Sequence, residues 1–177
     1  MSQTLFQLLL VLATVILFCL AFALNEWLLR PLEYTPGINW IYLPAGMRLL
    51  CTLLFGSAGA IGLLIASWLV SFYLFPDDVL RAAVGGIIAT IAPYLVYRIA
   101  RRVYGLEGSL VNLTPARLLA CILAYSFMSP LLHHIWFALR GDSVNLVSGF
   151  FAMFIGDLVG TLIVVYAMKG ALAAVRR

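Results

Sequence analysis

Charge is what this chain is short of. Only 10% of its 177 residues are Asp, Glu, Lys or Arg, while 64% are hydrophobic. A soluble domain is about a quarter charged and roughly half apolar, so this composition excludes an ordinary soluble fold and points to a lipid-embedded one. The chain also lacks a polar segment long enough to form a separate catalytic or signalling domain; the expectation is one polytopic transmembrane domain over 1–177. Cysteine is scarce as well. Cys19, Cys51 and Cys121 all fall in apolar stretches, and an odd, scattered set with no zinc spacing reads as small buried hydrophobes.

Catalytic signatures are missing too. No His-Glu-x-x-His or Gly-x-Ser-x-Gly occurs. Ser126 and Ser129 sit close to His133 in sequence, but one-helix spacing alone makes no nucleophile. Gly56-x-x-Gly59-x-x-Gly62 and Gly85-Gly86 follow no strand and precede no Lys-Ser/Thr, so they read as close-packing devices rather than phosphate loops. Asn112-Leu113-Thr114 fits a glycosylation sequon but precedes Pro115 on the side expected to be cytoplasmic. The expectation is no enzyme, no cofactor and no metal. The net charge of +4 reports membrane orientation rather than nucleic-acid binding.

What is present is a series of apolar stretches at 4–24, 38–55, 57–75, 80–99, 117–139 and 146–168. They predict an all-α integral membrane protein of about six transmembrane helices. Gly56-Ser57-Ala58-Gly59 joins the second and third, as a tight helical hairpin or a partly re-entrant turn. Pro44 predicts that the second is kinked or broken there. The run Asn39-Trp40-Ile41-Tyr42-Leu43-Pro44-Ala45-Gly46 is the least helix-like apolar segment, and irregular backbone at membrane depth needs protein or a cavity over it. Met1-Ser2-Gln3 carries no basic residue, so the first stretch reads as a retained helix rather than a signal peptide.

With the N-terminus inside, cytoplasmic segments carry Arg98, Arg101, Arg102, Arg117, Lys169, Arg176 and Arg177, whereas external ones carry Arg30, Arg81 and Arg140 with Glu26, Glu33, Asp77, Asp78 and Asp142. That asymmetry predicts a multi-pass protein with both termini cytoplasmic. Arg98, Arg101, Arg102 and the basic tail are expected to meet lipid headgroups or a partner protein.

Two charges lie inside the spans. Counted from the external ends, Arg48 and Asp157 are both roughly 15 Å deep. A lone charge at mid-membrane costs roughly 2.5–3.5 kcal/mol, so each is expected to face inward. They read either as an ion pair stapling the second helix to the sixth or as a site for a polar or ionic ligand. Gly156 and Gly160 flank Asp157 at a small-xxx-small spacing, extended backward through Met153 and Gly149, which brings another segment close to the backbone. Gly59 and Gly62 are candidates for the same role. His133 and His134, following Pro130, point to different helix faces; one is expected to face protein and the other the interface beside Trp136. Trp27, Tyr34, Tyr73, Trp136 and Asn145 read as an interfacial belt, whereas Asn39, Trp40 and Tyr42 adjoin the irregular segment and are candidate cavity-lining residues.

The Trp40, Pro44, Gly46 segment and the later Gly156-Asp157-x-x-Gly160 helix together resemble the membrane-associated sensor (MASE-type) integral membrane domain of bacterial signalling proteins. The resemblance implies a bacterial inner-membrane input module that perceives a small molecule or a partner protein. Nine residues follow the sixth stretch, so a stand-alone sensor or ligand-binding module passing its signal to a separate protein is expected. Arg48 and Asp157 would form the polar core of an external-facing cavity, lined by Asn39, Trp40, Tyr42 and His133. Membrane lipids, a membrane or cytoplasmic protein and a small-molecule ligand are the expected partners, and nucleic acid is not. The alternatives are a substrate-binding subunit resembling those of energy-coupling-factor transporters, with Gly59, Gly62, Ala66, Gly156 and Gly160 for docking, or a structural accessory subunit of a larger complex.

Overall fold

The computed structural model describes residues 2–106, 110, 112–141 and 145–175. Asp142, Arg176 and Arg177, used above for orientation, lie outside the described residues. Helix α1 (Gln3–Leu29) runs into a 3-10 turn (Arg30–Leu32) and a short hairpin, β1 (Glu33–Thr35) and β2 (Ile38–Asn39). Helices α2 (Leu43–Leu74), α3 (Val79–Tyr104), α4 (Pro115–Arg140) and α5 (Leu146–Val175) follow. All five helices are long and apolar enough to cross a membrane, so the expected six stretches appear as five helical elements. The second and third stretches are two arms of α2.

The break in α2 is at Gly56, not at Pro44. Pro44 occupies the first turn, where its missing N–H would have had no intrahelical acceptor anyway, so it starts the helix rather than kinking it. Gly56 has φ 57° and ψ −126°, a conformation open essentially only to glycine. The chain turns back on itself there. A Cβ on Gly59 would collide with the Cys51 carbonyl. Met47 packs against Phe18, Leu63, Ala66 and Val70, although a straight helix would hold Met47 and Ala66 about 28 Å apart. A Cβ at Gly56 would also sit 2.9 Å from the Tyr97 hydroxyl. Gly56→Ala is therefore expected to lower unfolding stability by about 1–3 kcal/mol, whereas Gly85→Ala, which meets only Ser71 Oγ at 3.9 Å, is not. Equal unfolding midpoints for the two variants would show that the reversal does not need glycine.

The folded-back α2 is the hub of the molecule. Gly62 of its second arm lets α1 approach until the Val11 carbonyl and Thr14 would meet any Cβ at 2.6–2.7 Å. Only the stripe Thr14, Phe18, Ala21 and Asn25 of α1 is buried, and its leucines otherwise face outward, as suits a lipid-facing helix at the edge of a bundle. The main core joins Ala45, Leu49 and Leu53 to Ala92, Val96 and Ala100 of α3 and to Cys121, Ile122 and Tyr125 of α4. The two ends of the bundle differ. The tip of the α2 reversal, Gly56–Ala58, shares a cleft with Gln7, Tyr97 and Arg101, while the opposite end gathers Glu26, Glu33, Phe75, Arg81 and Trp136.

Candidate functional site

The irregular segment after β2 places the site. Asn39 to Tyr42 run non-helically along α5, and the Tyr42 N–H donates to the Gly156 carbonyl at 3.1 Å. A Cβ on Gly156 would overlap the Asn39 carbonyl oxygen, and one on Gly160 the Tyr42 carbonyl oxygen. The small-xxx-small spacing on α5 thus receives an extended backbone rather than a neighbouring helix. Lower down, a Cβ on Gly46 would meet Val164 Cβ at 2.6 Å. The amide of Leu43, at the start of α2, donates to Asn25 Oδ1 across 2.9 Å in a buried setting. A side chain on α1 thereby caps α2, a role that Tyr42 at the N-cap position does not fill with its own side chain. An asparagine just past the end of the first apolar stretch is the sequence signal for this contact.

A cavity of about 70 Å³ lies under this segment, lined among others by Asn39, Tyr42, Arg48, Arg81, His133 and Trp136. Arg48 is its cationic wall. The guanidinium lies 5.3 Å from the Phe18 ring centroid and 5.2 Å from that of Tyr42, favourable cation–π positions. Its Nη2 donates to the Tyr42 hydroxyl at 3.5 Å, a long bond, and its buried Nε has no acceptor. Most of the donor capacity of a buried guanidinium is therefore unspent, which is costly unless something fills it.

Asp157 does not supply the missing partner. It is 1% exposed, its Oδ2 has no donor, and among the described residues the ion pair is Arg140 with Asp78, not Arg48 with Asp157. Arg48 and Ser129 are the electrostatic neighbours of Asp157, and Tyr125 approaches Arg48, but the Tyr125 and Ser129 hydroxyls complete no hydrogen bond. Asp157 does not line the cavity. Met153 on α5 and His133 on α4 do, and they precede Asp157 and follow Ser129 by four residues, so the carboxylate lies about one turn beneath the cavity wall.

The two histidines separate as their adjacency requires, but both are buried. His134 packs edge-on to Phe137 and Phe150 at 5.3 and 5.7 Å instead of facing the interface. His133 lines the cavity, with Nδ1 2.9 Å from the Ser129 carbonyl oxygen. A carbonyl can only accept, so Nδ1 carries a proton, and in the neutral ring Nε2 is then the acceptor. Trp40 is also corrected: it is 40% exposed, stacks edge-on against Tyr34 and belongs to the outer belt rather than to the cavity.

Sequence reasoning did not select Arg81, which also lines the cavity. Its guanidinium lies 4.0 Å from the Phe75 ring centroid and donates to the Pro36 carbonyl in the β-hairpin at 3.5 Å. The Arg81 backbone N–H donates to Asp78 Oδ1 at 3.0 Å, and Asp78 is clasped by Arg140 from the end of α4. The Arg140 guanidinium, together with the Arg81 amide, holds the Asp78 carboxyl below the usual carboxylate range. A lowered folded-state pKa favours the ionised form. The clasp therefore contributes fully above the ordinary carboxylate value of about 4 and is lost as pH falls through the lowered value. Thermal stability is expected to be flat from pH 7 to 5 with respect to this clasp and to fall in more acidic buffer. In Asp78→Asn that acid-dependent part should disappear; an unchanged acid limb in the variant would remove the clasp from the account.

No protein-family model, curated protein or solved structure matches this chain.

Proposed function

We propose that this chain is a multi-pass protein of the bacterial inner membrane that captures a small anion from the external side and reports occupancy to a partner protein. The observation that carries the reading is Arg48: a buried guanidinium on a cavity wall, with unspent donors and no carboxylate bound to it. Intramembrane charges that lack a structural partner are functional candidates. With the arms of α2 counted separately the chain crosses six times, so both termini lie on one side. Arg101 beside the α2 tip makes that side cytoplasmic by the positive-inside rule.

The MASE-type sensor resemblance fits this reading. Its two motif segments, 120 residues apart at their far ends, Trp40 and Gly160, in the sequence, touch directly through Tyr42 and Gly156. A ligand on Arg48 would tension the segment that α5 holds, and α5 leads toward the side where a signalling partner would dock. The transporter-subunit alternative has less support. Gly59, Gly62, Gly156 and Gly160 face their own chain, and the cavity of about 70 Å³ is small beside the roughly 300–1,000 Å³ of sites for drug-sized molecules. The accessory-subunit alternative rested on a staple between Arg48 and Asp157, and that pair does not meet the distance of an ion pair.

Gentle detergent purification from the native membrane, followed by mass spectrometry of everything that co-elutes, tests the reading. A bound small anion together with a signalling enzyme is expected. A stoichiometric ATPase would instead identify a transporter subunit.

A further inference from the structure

The cleft at the α2 tip, at the end of the bundle away from Arg48, has the makings of a second site. Its volume is about 680 Å³, within the roughly 300–1,000 Å³ of ligand sites. Leu53 and Leu106 line it and are buried, whereas Gln7, Ser57 and Arg101 line it and are exposed. The cleft is therefore apolar inside and polar at its mouth. The mouth also sits at the membrane border. Helices α1 and α3 have 27 and 26 residues, so each is about 40 Å long against a hydrocarbon core of about 30 Å. Gln7 and Arg101 lie about 4–6 Å from the ends of those helices, where hydrocarbon gives way to headgroups.

The mouth is cationic by construction. Tyr94, Tyr97, Arg98 and Arg101 follow an i, i+3, i+4, i+7 spacing and share one face of α3. The α2 tip meets that face: Ser57 Oγ is 3.5 Å from the Tyr94 hydroxyl, which accepts from Arg98 Nη1 at 3.3 Å. Among the described residues no carboxylate lines the cleft, and none pairs with Arg98 or Arg101.

We infer that this cleft binds an anionic phospholipid, with its phosphate on Arg101 and Arg98 and an acyl chain against the apolar interior. The inference is independent of the anion-capture reading. A free phosphate would meet the guanidinium groups and leave the apolar surface to water. A zwitterionic lipid would cover that surface but bring its own cation toward two arginines. An anionic phospholipid answers both halves of the cleft, as basic pockets between transmembrane helices do for such headgroups.

The test titrates the full chain in detergent, at fixed ionic strength, with dioleoyl phosphatidylglycerol, dioleoyl phosphatidylcholine and glycerol phosphate. Native mass spectrometry reads the lipids and equilibrium dialysis the glycerol phosphate. Phosphatidylglycerol is expected to bind about twenty-fold more tightly than phosphatidylcholine, on the order of five-fold for each arginine. Arg101→Gln should therefore weaken it about five-fold. Arg102→Gln alters a residue about 100° further round α3 that does not line the cleft, and should weaken it less than about two-fold. Both side chains are exposed, so both variants are expected to fold. Equal affinity for the two lipids in the unaltered protein would overturn the inference. Equal losses in the two variants would also overturn it, by making the attraction a property of the whole basic helix end. Glycerol phosphate bound as tightly as phosphatidylglycerol would replace the lipid by a soluble phosphate ester.

Discussion

Gly160→Val is expected to unfold the protein or to separate its entry segment from α5. The Tyr42 carbonyl oxygen already occupies the space of a Cβ at this position, and it belongs to backbone held by the start of α2, so no side-chain rotation relieves the overlap. Overpacking usually costs about 1–3 kcal/mol where a core can shift; here the backbone itself must move, and a loss of at least about 3 kcal/mol is expected. The cavity depends on the same contact. Any folded remnant of Gly160→Val should therefore also lose ligand binding. Gly170, on the same helix, meets nothing within 4 Å, and Gly170→Ala should be neutral or stabilise by up to about 1 kcal/mol through helix propensity. Denaturant unfolding of the two variants side by side measures the contrast. A Gly160→Val protein as stable as Gly170→Ala would mean that segment 39–42 does not lie on α5.

Arg48→Gln is expected to do the opposite: to keep the fold and lose the ligand. The buried guanidinium is held by two aromatic rings and one long hydrogen bond, so a neutral side chain of similar length relieves a desolvation cost. Removing one partner of a buried charged contact to a ligand typically costs 2–5 kcal/mol or more, at least about 30-fold in affinity. Asp157→Asn should stay folded and bind a small anion at least as tightly, because it removes a nearby negative charge without breaking an ion pair. If Arg48→Gln and Asp157→Asn each unfolded the protein and their double variant recovered stability, the pair would be a staple after all.

Much of this fold is legible in the sequence because lipid imposes length and apolarity on each helix. The stretches at 80–99, 117–139 and 146–168 became α3, α4 and α5 with ends extended by polar or amphipathic residues. Arg48 and Asp157 were legible as inward-facing charges because the alternative, exposure to lipid, is costly. Gly156 and Gly160 were legible as a close-approach site. What approaches them was not, because small residues admit a helix or an extended strand equally well. The reversal at Gly56 was legible as the Gly56-Ser57-Ala58-Gly59 joint between two apolar stretches; the further kink expected at Pro44 was not found, because a proline serves equally as the first residue of a helix or as an interior kink. The absence of an Arg48–Asp157 pair could not be read from depth, since depth along two helices leaves rotation and side-chain direction free. Arg81 escaped notice because an external arginine normally reads as an orientation marker, and its role arises from Pro36 in a distant hairpin.

The central claim is that Arg48 receives a small anion from the cavity. Thermal shift of the purified chain against graded glycolate, in parallel with Arg48→Gln at matched ionic strength, tests it most directly. Saturating glycolate is expected to raise the melting temperature of the unaltered protein, by an amount that grows with the logarithm of concentration, and folded Arg48→Gln is expected to show no shift. An equal, saturable shift in both proteins would contradict it and place the anion elsewhere.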